Sequence, residues 1–304
     1  MGQRCSGREE YLPRHSREPE NYLPRHSRRN DDGPERLASL PAVVQETAGW
    51  LRKAGGSVLD LIYPPALYCI CCGKIIDETR PYRLCNDCMD SVKWADGRTC
   101  EVCGKPLGEN NPGTVCYYCK SHTHRFTRAF TCAEYGMHER AVVFAMKYGA
   151  REDIAGTLAE ILHDRLELLR MSGEMPEYDL IVPVPMYLRK LRERGFNQTD
   201  LIAKALSRLE GKPWDPGVVR RTRDTKAMRG LSPDERQHNI QGAFEVPDTC
   251  RETGALSGLT VLVIDDLYTT GNTADAMAAV LREAGAREVY FLTFAAGADL
   301  IKSE

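Results

Sequence analysis

The sequence predicts a parallel α/β domain preceded by a small cysteine-knuckle module. Residues 260–273 (TVLVIDDLYTTGNT) pass from an unbroken apolar run into two carboxylates and a hydroxyl-rich turn, and Ala274, Met277, Ala278, Leu281 and Ala284 then recur at helical spacing. A continuous Val/Leu/Ile strand leading into an amphipathic helix is the pattern of a central parallel strand covered on both faces. The second observation is an internal repeat. Cys69, Cys72, Gly73, Lys74, Cys85 and Cys88 return in the same order and spacing as Cys100, Cys103, Gly104, Lys105, Cys116 and Cys119.

In chain order, residues 1–36 are rich in Arg, Glu, Ser and Pro and repeat YLPRHSR at 11–17 and 22–28. Their apolar content is too sparse for a core, which predicts a disordered tail. Residues 37–66 form a helical lead-in, with Val43, Val44, Ala48, Leu51, Val58 and Leu61 spaced as in a helix interrupted at Gly55 and Gly56. Residues 67–125 hold the cysteine repeat. In 126–304 the pattern predicts a strand over 129–135, helices over 140–146 and 154–169, a strand over 179–184, a helix over 199–209, and strands over 261–265 and 289–294. Alternation of strand and helix makes the sheet parallel, with ligand sites at the C-terminal ends of strands.

The chain has 304 residues, 42% hydrophobic and 28% charged, with a net charge of −2, so no global field draws it to nucleic acid or membranes. Residues 187–230 differ, with 12 Lys or Arg against 5 Asp or Glu. That stretch suits an anion site or a nucleic-acid backbone, and its plainer reading is a solvated helix face. The chain has no apolar run long enough to span a membrane, and its charged N-terminus lacks an apolar signal core, so the expected location is the cytoplasm. In a reducing compartment, clustered cysteines point to metal rather than disulfides.

Each half of the repeat is a C-x₂-C-G-K…C-x₂-C unit, and paired knuckles of this kind supply four thiolates to a tetrahedral Zn²⁺. Two structural zinc sites follow, one from Cys69, Cys72, Cys85 and Cys88, the other from Cys100, Cys103, Cys116 and Cys119. A cross-braced pairing of alternate knuckles is the alternative. Thiol redox chemistry uses a single C-x-x-C in a βαβ context rather than four in a row. Cys5, Cys71, Cys132 and Cys250 are read as non-ligands.

The strand-to-helix loop suits a phosphorylated ribose. The first N–H groups of a helix lack internal partners and favour an anion, Gly271 permits the tight turn, and Thr269, Thr270 and Thr273 add donors. Asp265 and Asp266 repel a phosphate but accept hydrogen bonds from ribose hydroxyls. A merely capped turn explains the Thr and Gly residues, but not two acids at the end of an apolar strand. Neither a G-x-x-x-x-G-K-[ST] nor a G-x-G occurs, which removes the P-loop and dinucleotide fingerprints.

Residues 260–273 resemble the phosphoribosyl pyrophosphate (PRPP) motif of type I phosphoribosyltransferases. Residues 179–198 (DLIVPVPMYLRKLRERGFNQ) and 236–244 (RQHNIQGAF) resemble the signatures of the ComF family of competence-associated proteins, and the likeness covers roughly residues 58 to 296. The resemblance implies a type I phosphoribosyltransferase fold behind a double zinc ribbon, with PRPP or a related ribose 5-phosphate as ligand and Mg²⁺ bound with it. It makes Asp265 and Asp266 the catalytic acids. It places Tyr268, Thr269, Thr270, Gly271, Asn272, Thr273, Arg194, Asn197, Gln198 and Arg223 against PRPP.

By the same resemblance the loop after Val182–Pro185 receives the pyrophosphate, close to Arg189, Lys190, Arg192 and Arg194. About half of those basic groups should be solvated if 188–194 is helical or coiled. Residues 220–232 would be a loop that closes over the site with Arg223 or Thr225. Met228 stands where the family tends to have Gln, and Tyr187-Leu188 replaces a more usual His-Pro. The implied activity is transfer or sensing of phosphoribosyl groups. The alternative is a non-catalytic competence factor that contacts single-stranded DNA or a DNA-uptake helicase through its basic surface and zinc module. An acceptor-binding hood is not evident, and the cysteine module stands where one is expected.

Overall fold

A computed structural model describes residues 67–77, 79–148, 151–224 and 242–299. The expected tail, the helical lead-in, Thr225, Met228 and residues 236–241 of the second signature lie outside the described residues.

The strands are β1 (Arg128–Glu134), β2 (Leu180–Pro183), β3 (Arg220–Arg221), β4 (Phe244–Glu245), β5 (Thr260–Tyr268) and β6 (Glu288–Ala296). The helices are α1 (Asn86–Ser91), α2 (Tyr117–Ser121), α3 (Met137–Tyr148), α4 (Ile154–Met171), α5 (Leu188–Arg194), α6 (Gln198–Glu210), α7 (Asp248–Glu252) and α8 (Asn272–Glu283). Four strands form a parallel sheet in the order β1-β6-β5-β2, and β3 pairs with β4 as a small antiparallel ribbon. The expected class, a parallel sheet flanked by helices behind a cysteine module, is the one observed.

Alternation along the central strands splits the core into two layers. Leu262, Ile264 and Leu292 pack with Leu158, Leu162, Ile202 and Leu206 of α4 and α6. Val261, Val263, Val289 and Phe291 pack with Met277, Ala278 and Leu281 of α8 and with Val218, Val219 and Phe244 around the β3-β4 ribbon. The first cysteine unit joins the α4/α6 layer through Cys69 and Cys88, and the second joins the α8 layer through Cys100, Cys103 and Cys116.

Both sheet edges are covered, as exposed edges invite pairing with other chains. On β1, the Ala95 N–H donates to the Cys132 carbonyl and the Ala129 N–H to the Val102 carbonyl, both from the cysteine module. Gly104 lies so close to this strand that a Cβ would come within 2.5 Å of the Ala129 carbonyl oxygen. On β2, the Ile181 N–H donates to Pro213 and the Asp215 N–H donates back to Ile181.

Several boundaries differ from the sequence reading. β5 runs through both acids to Tyr268 because Asp265, Leu267 and Tyr268 stay in register with Thr293, Ala295 and Ala296 of β6. Tyr268 is thus the last strand residue rather than the first of the loop. Residues 188–194 are helical and stop at Gly195, whose φ of +89° suits glycine at a helix end. The two-residue strands β3 and β4 and the one-turn α7 are too short to leave a periodic signal.

Candidate phosphate and ribose site

Consecutive strand residues point to opposite faces, and this makes the two acids unlike. Asp266 follows Leu262 and Ile264 onto the α4/α6 face, where it is 6% exposed. Lys147, in the last turn of α3, places Nζ 2.6 Å from Asp266 Oδ2, and the Gln198 amide donates to the same oxygen at 3.1 Å. Burial works against the Lys147 ammonium, but Asp266 and then Asp265 raise its pKa above the ordinary value. Asp265 follows Val261 and Val263 toward the β3-β4 side and accepts the Asp266 N–H at 2.9 Å. Burial first, then repulsion from Asp266, pushes its carboxyl up to about 7, against the pull of Lys147 and Arg221. The site therefore holds one ion-paired acid beside one that titrates near neutrality.

The residues after β2 brace this end of the sheet. The Val184 carbonyl accepts from Asn197 Nδ2 at 3.1 Å and from Thr199 Oγ1 at 2.6 Å, so Asn197 holds the strand-end loop in place. Arg194 donates to Gln198 Oε1 at 2.5 Å, which completes a chain from Arg194 through Gln198 and Asp266 to Lys147. Arg189 and Arg192 are exposed, matching the solvated share expected of this basic helix, and Arg189 and the half-buried Lys190 both pair with Asp224. Arg223 is exposed beyond β3, while its neighbour Arg221 is the one that acts on Asp265.

The loop begins at Thr269, which is exposed, and α8 starts at Asn272 with Gly271 as N-cap at a φ of +86°. The cap supplies no side-chain hydrogen bond, so the first-turn N–H groups keep their affinity for an anion. Thr270, Asn272 and Thr273 are half-buried around it. Asn272 Nδ2 is buried without a hydrogen-bond partner, an unmet polar group of the kind a ligand satisfies. The Tyr268 ring is 4% exposed and lies under the loop, edge-on to Phe126 at 6.3 Å, so its side chain is not offered to the crevice.

The cysteines form two sequential clusters, Cys69/Cys72/Cys85/Cys88 and Cys100/Cys103/Cys116/Cys119, each with its sulfurs within 4.8 Å of one another. The cross-braced pairing is thereby excluded. Tetrahedral thiolates about 2.3 Å from zinc stand about 3.8 Å apart, and the Cys72–Cys85 and Cys103–Cys116 pairs are 3.7 and 3.6 Å apart. N–H groups of Cys85 and Cys116 donate to the Cys69 and Cys100 sulfurs at 3.4 and 3.3 Å, as thiolates in ribbon turns require. The donor set fits Zn²⁺ at both sites. Cys71 lies beside the first cluster, near Cys88 and His138, while Cys132 and Cys250 are buried outside both.

Residues 58–120 match the double zinc ribbon domain family. The DNA utilization protein YhgH of Salmonella typhi is 33% identical over 164 residues, which cover 53% of this chain and 69% of that protein. The chain belongs to the ComF family. Competence protein F of Haemophilus influenzae is 32% identical over 133 residues, 44% of this ComF chain and 57% of its relative. A solved structure similar to part of the ComF chain is the glutamine PRPP amidotransferase of B. subtilis, at 19% identity and a TM-score of 0.32, covering 49% of this chain and 30% of that one. Among the described residues, no helix is long and apolar enough to cross a membrane.

Three residues at this site of the ComF chain went unnoticed in the sequence. Lys147 and Arg221 stand far along the chain from the acids they influence. His124, under the loop beside Gly271, belongs to no spacing pattern.

Proposed function

We propose that the β5-α8 loop binds PRPP or a related ribose 5-phosphate, and that the protein transfers or senses phosphoribosyl groups. One observation carries this reading: the acid pair near the end of β5 and the uncapped N-terminus of α8 are joined by one short connection, with five residues between Asp266 and Asn272. The N–H groups of the first α8 turn, with Thr269, Thr270, Thr273 and Asn272, take the 5-phosphate. Asp265 accepts from the ribose hydroxyls, and Arg194 at the β2 end meets the pyrophosphate side, where a guanidinium suits paired phosphate oxygens. Asp265 and the ligand's own phosphates are the hard oxygen donors that Mg²⁺ takes, and the ion would neutralise a departing pyrophosphate.

In the transfer reaction an acceptor displaces pyrophosphate at the anomeric carbon while positive charge grows on the ribose. An ionised Asp265, fixed by the Asp266 N–H, places negative charge close to that centre without reorganising. Lys147 keeps Asp266 from adding a second free charge.

Calorimetric titration with PRPP and Mg²⁺ tests the binding claim. Saturable binding is expected, weakened at least about tenfold in the Asp265→Ala/Asp266→Ala double variant; an absence of heat with PRPP overturns it. Pyrophosphate release with candidate amines and nucleobases separates transfer from sensing.

A second reading, contact with single-stranded DNA, is favoured by α3. Phe144 and Tyr148 are exposed with ring centroids 5.2 Å apart, and Arg140 and Arg194 lie over them at 4.9 and 5.6 Å. Exposed rings interleaved with guanidinium groups stack bases while tracking phosphates. Gel-shift titration against Phe144→Ala/Tyr148→Ala decides it, and failure of wild type to show salt-sensitive binding removes it.

A further inference from the structure

The second cysteine cluster is wired to the phosphate loop through one side chain. His124 Nε2 lies 3.3 Å from Cys119 Sγ, and its Nδ1 lies 2.9 Å from Asp275 Oδ2 in the first turn of α8. The other Asp275 oxygen accepts the Arg125 N–H at 2.7 Å, and the Asp275 N–H closes the helix onto the Gly271 carbonyl at 2.7 Å. The imidazole is 2% exposed and stacks on Phe126 at 4.6 Å, so it has no freedom to leave this position. Its Cε1 sits 2.8 Å from where a Gly271 Cβ would stand. Lys105, in the same ribbon, places Nζ 5.8 Å from the Tyr268 ring under the loop. The first ribbon reaches different elements: Cys71 donates to the His138 carbonyl at the start of α3, and Tyr82 to Asp164 on α4.

We propose that His124 is a positioning residue that ties the second ribbon to the anion site, so that metal bound at Cys100, Cys103, Cys116 and Cys119 holds Gly271–Asp275 in its ligand-ready conformation. The first ribbon has no such role. A ring bonded to a ligating cysteine is anchored by the metal's rigid coordination, and partners of this kind fix geometry beyond the metal itself. Here the ring transmits that rigidity to Asp275 and hence to the N–H groups of the first helical turn. The inference rests on the phosphate-loop reading for its functional meaning, though not for its structural test.

The test uses the full-length, zinc-loaded protein with three readouts: zinc content, amide hydrogen exchange across residues 268–276, and PRPP affinity. His124→Ala is expected to retain both ions, to speed exchange in that segment about tenfold and to weaken PRPP about tenfold. Asp275→Ala should do the same with every cysteine and the histidine in place. Asp275→Asn, whose carbonyl can still accept the Arg125 N–H while its amide N–H donates to ring Nδ1 and Nε2–H faces Cys119, should recover most of both losses; equal loss in the two Asp275 variants overturns the specific contact. Cys119→Ala should loosen the segment as it sheds the second ion, whereas Cys72→Ser in the first ribbon should leave the segment at the wild-type rate. Wild-type exchange in both His124→Ala and Asp275→Ala overturns the proposal whatever PRPP does. Failure of wild type to bind PRPP counts against the phosphate reading alone, because the exchange result still decides the tether.

Discussion

Lys147 Nζ lies 2.6 Å from Asp266 Oδ2, and with that contact one of two adjacent carboxylates is neutralised while the other is left to titrate. Asp266 is nearly buried, so removing the ammonium strands a charge in a poorly solvated place. Breaking a buried pair from one side costs about 3 kcal/mol or more, whereas removing both charges is far milder. Lys147→Met should therefore lower unfolding stability by about 3 kcal/mol, and Lys147→Met/Asp266→Asn should recover most of it. Urea midpoints of the three proteins check this; equal stability of Lys147→Met and wild type would show the pair to be solvated.

Asp265 gives the site a pH dependence of defined sign. Its folded pKa of about 7 lies above its ordinary value of 3.8, with burial as the main cause and Asp266 next. The folded state thus favours the protonated form. The stability this contributes is fully present below 3.8 and is lost as pH rises through about 7. Asp265→Asn should gain on wild type in stability as pH goes from about 5 to about 8. Ribose binding has the opposite trend, because an ionised carboxylate is the better acceptor. Wild-type affinity for ribose 5-phosphate should rise across that interval more than the ligand's own ionisation accounts for, and Asp265→Asn should retain only the ligand's share. Parallel pH curves for the two proteins would remove Asp265 from the ribose contact.

The parts of this arrangement that could be read in the sequence are those written in local pattern. Val261 to Ile264 followed by helical spacing from Ala274 is a strand and a helix before any folding is considered, and the cysteine repeat marks eight zinc ligands, while the choice of sequential over cross-braced pairing comes from their placement in the fold. The difference between Asp265 and Asp266 is local too, since strand alternation sends them to opposite faces, but its consequence depends on Lys147 and Arg221. Neither cation is marked by spacing: Lys147 is simply the basic residue in the last turn of α3, and Arg221 sits on a two-residue strand. Tyr268 counted as loop because two acids and a tyrosine do not continue an apolar run, yet pairing with Ala296 of β6 holds it in the strand and turns its ring beneath the loop.

Gly271 should tolerate no side chain. Its φ of +86° is costly for other residues, and an added Cβ meets the Tyr268 hydroxyl and the His124 ring. Gly271→Ala is expected to lose about 1–3 kcal/mol of stability and to weaken PRPP binding by more than Thr269→Ala does, since Thr269 is exposed and loses only a donor. Trimming the hydroxyl in Gly271→Ala/Tyr268→Phe removes one of the two contacts, so it should return part of the stability and little of the affinity. Full recovery of both would locate the problem in Tyr268 rather than in the backbone of the loop.

The two ribbons should differ in what their loss does. Cys72 is exposed at the rim of the first cluster, while Cys100, Cys103 and Cys116 are buried in the same layer as Val261, Val263 and Phe291. A lost zinc site exposes whatever its ribbon covered, and here the second ribbon covers part of the β1 edge and the underside of the β5-α8 loop. Cys100→Ser should therefore destabilise more than Cys72→Ser, with a broad unfolding transition and a tendency to associate through the uncovered strand. Native mass spectrometry should find about two zinc ions in wild type and about one in each variant. Thermal scans at matched zinc content then rank the two sites. Equal losses from the two substitutions would mean that the ribbons support the sheet alike, and that burial of the second in the α8 layer adds nothing to its share.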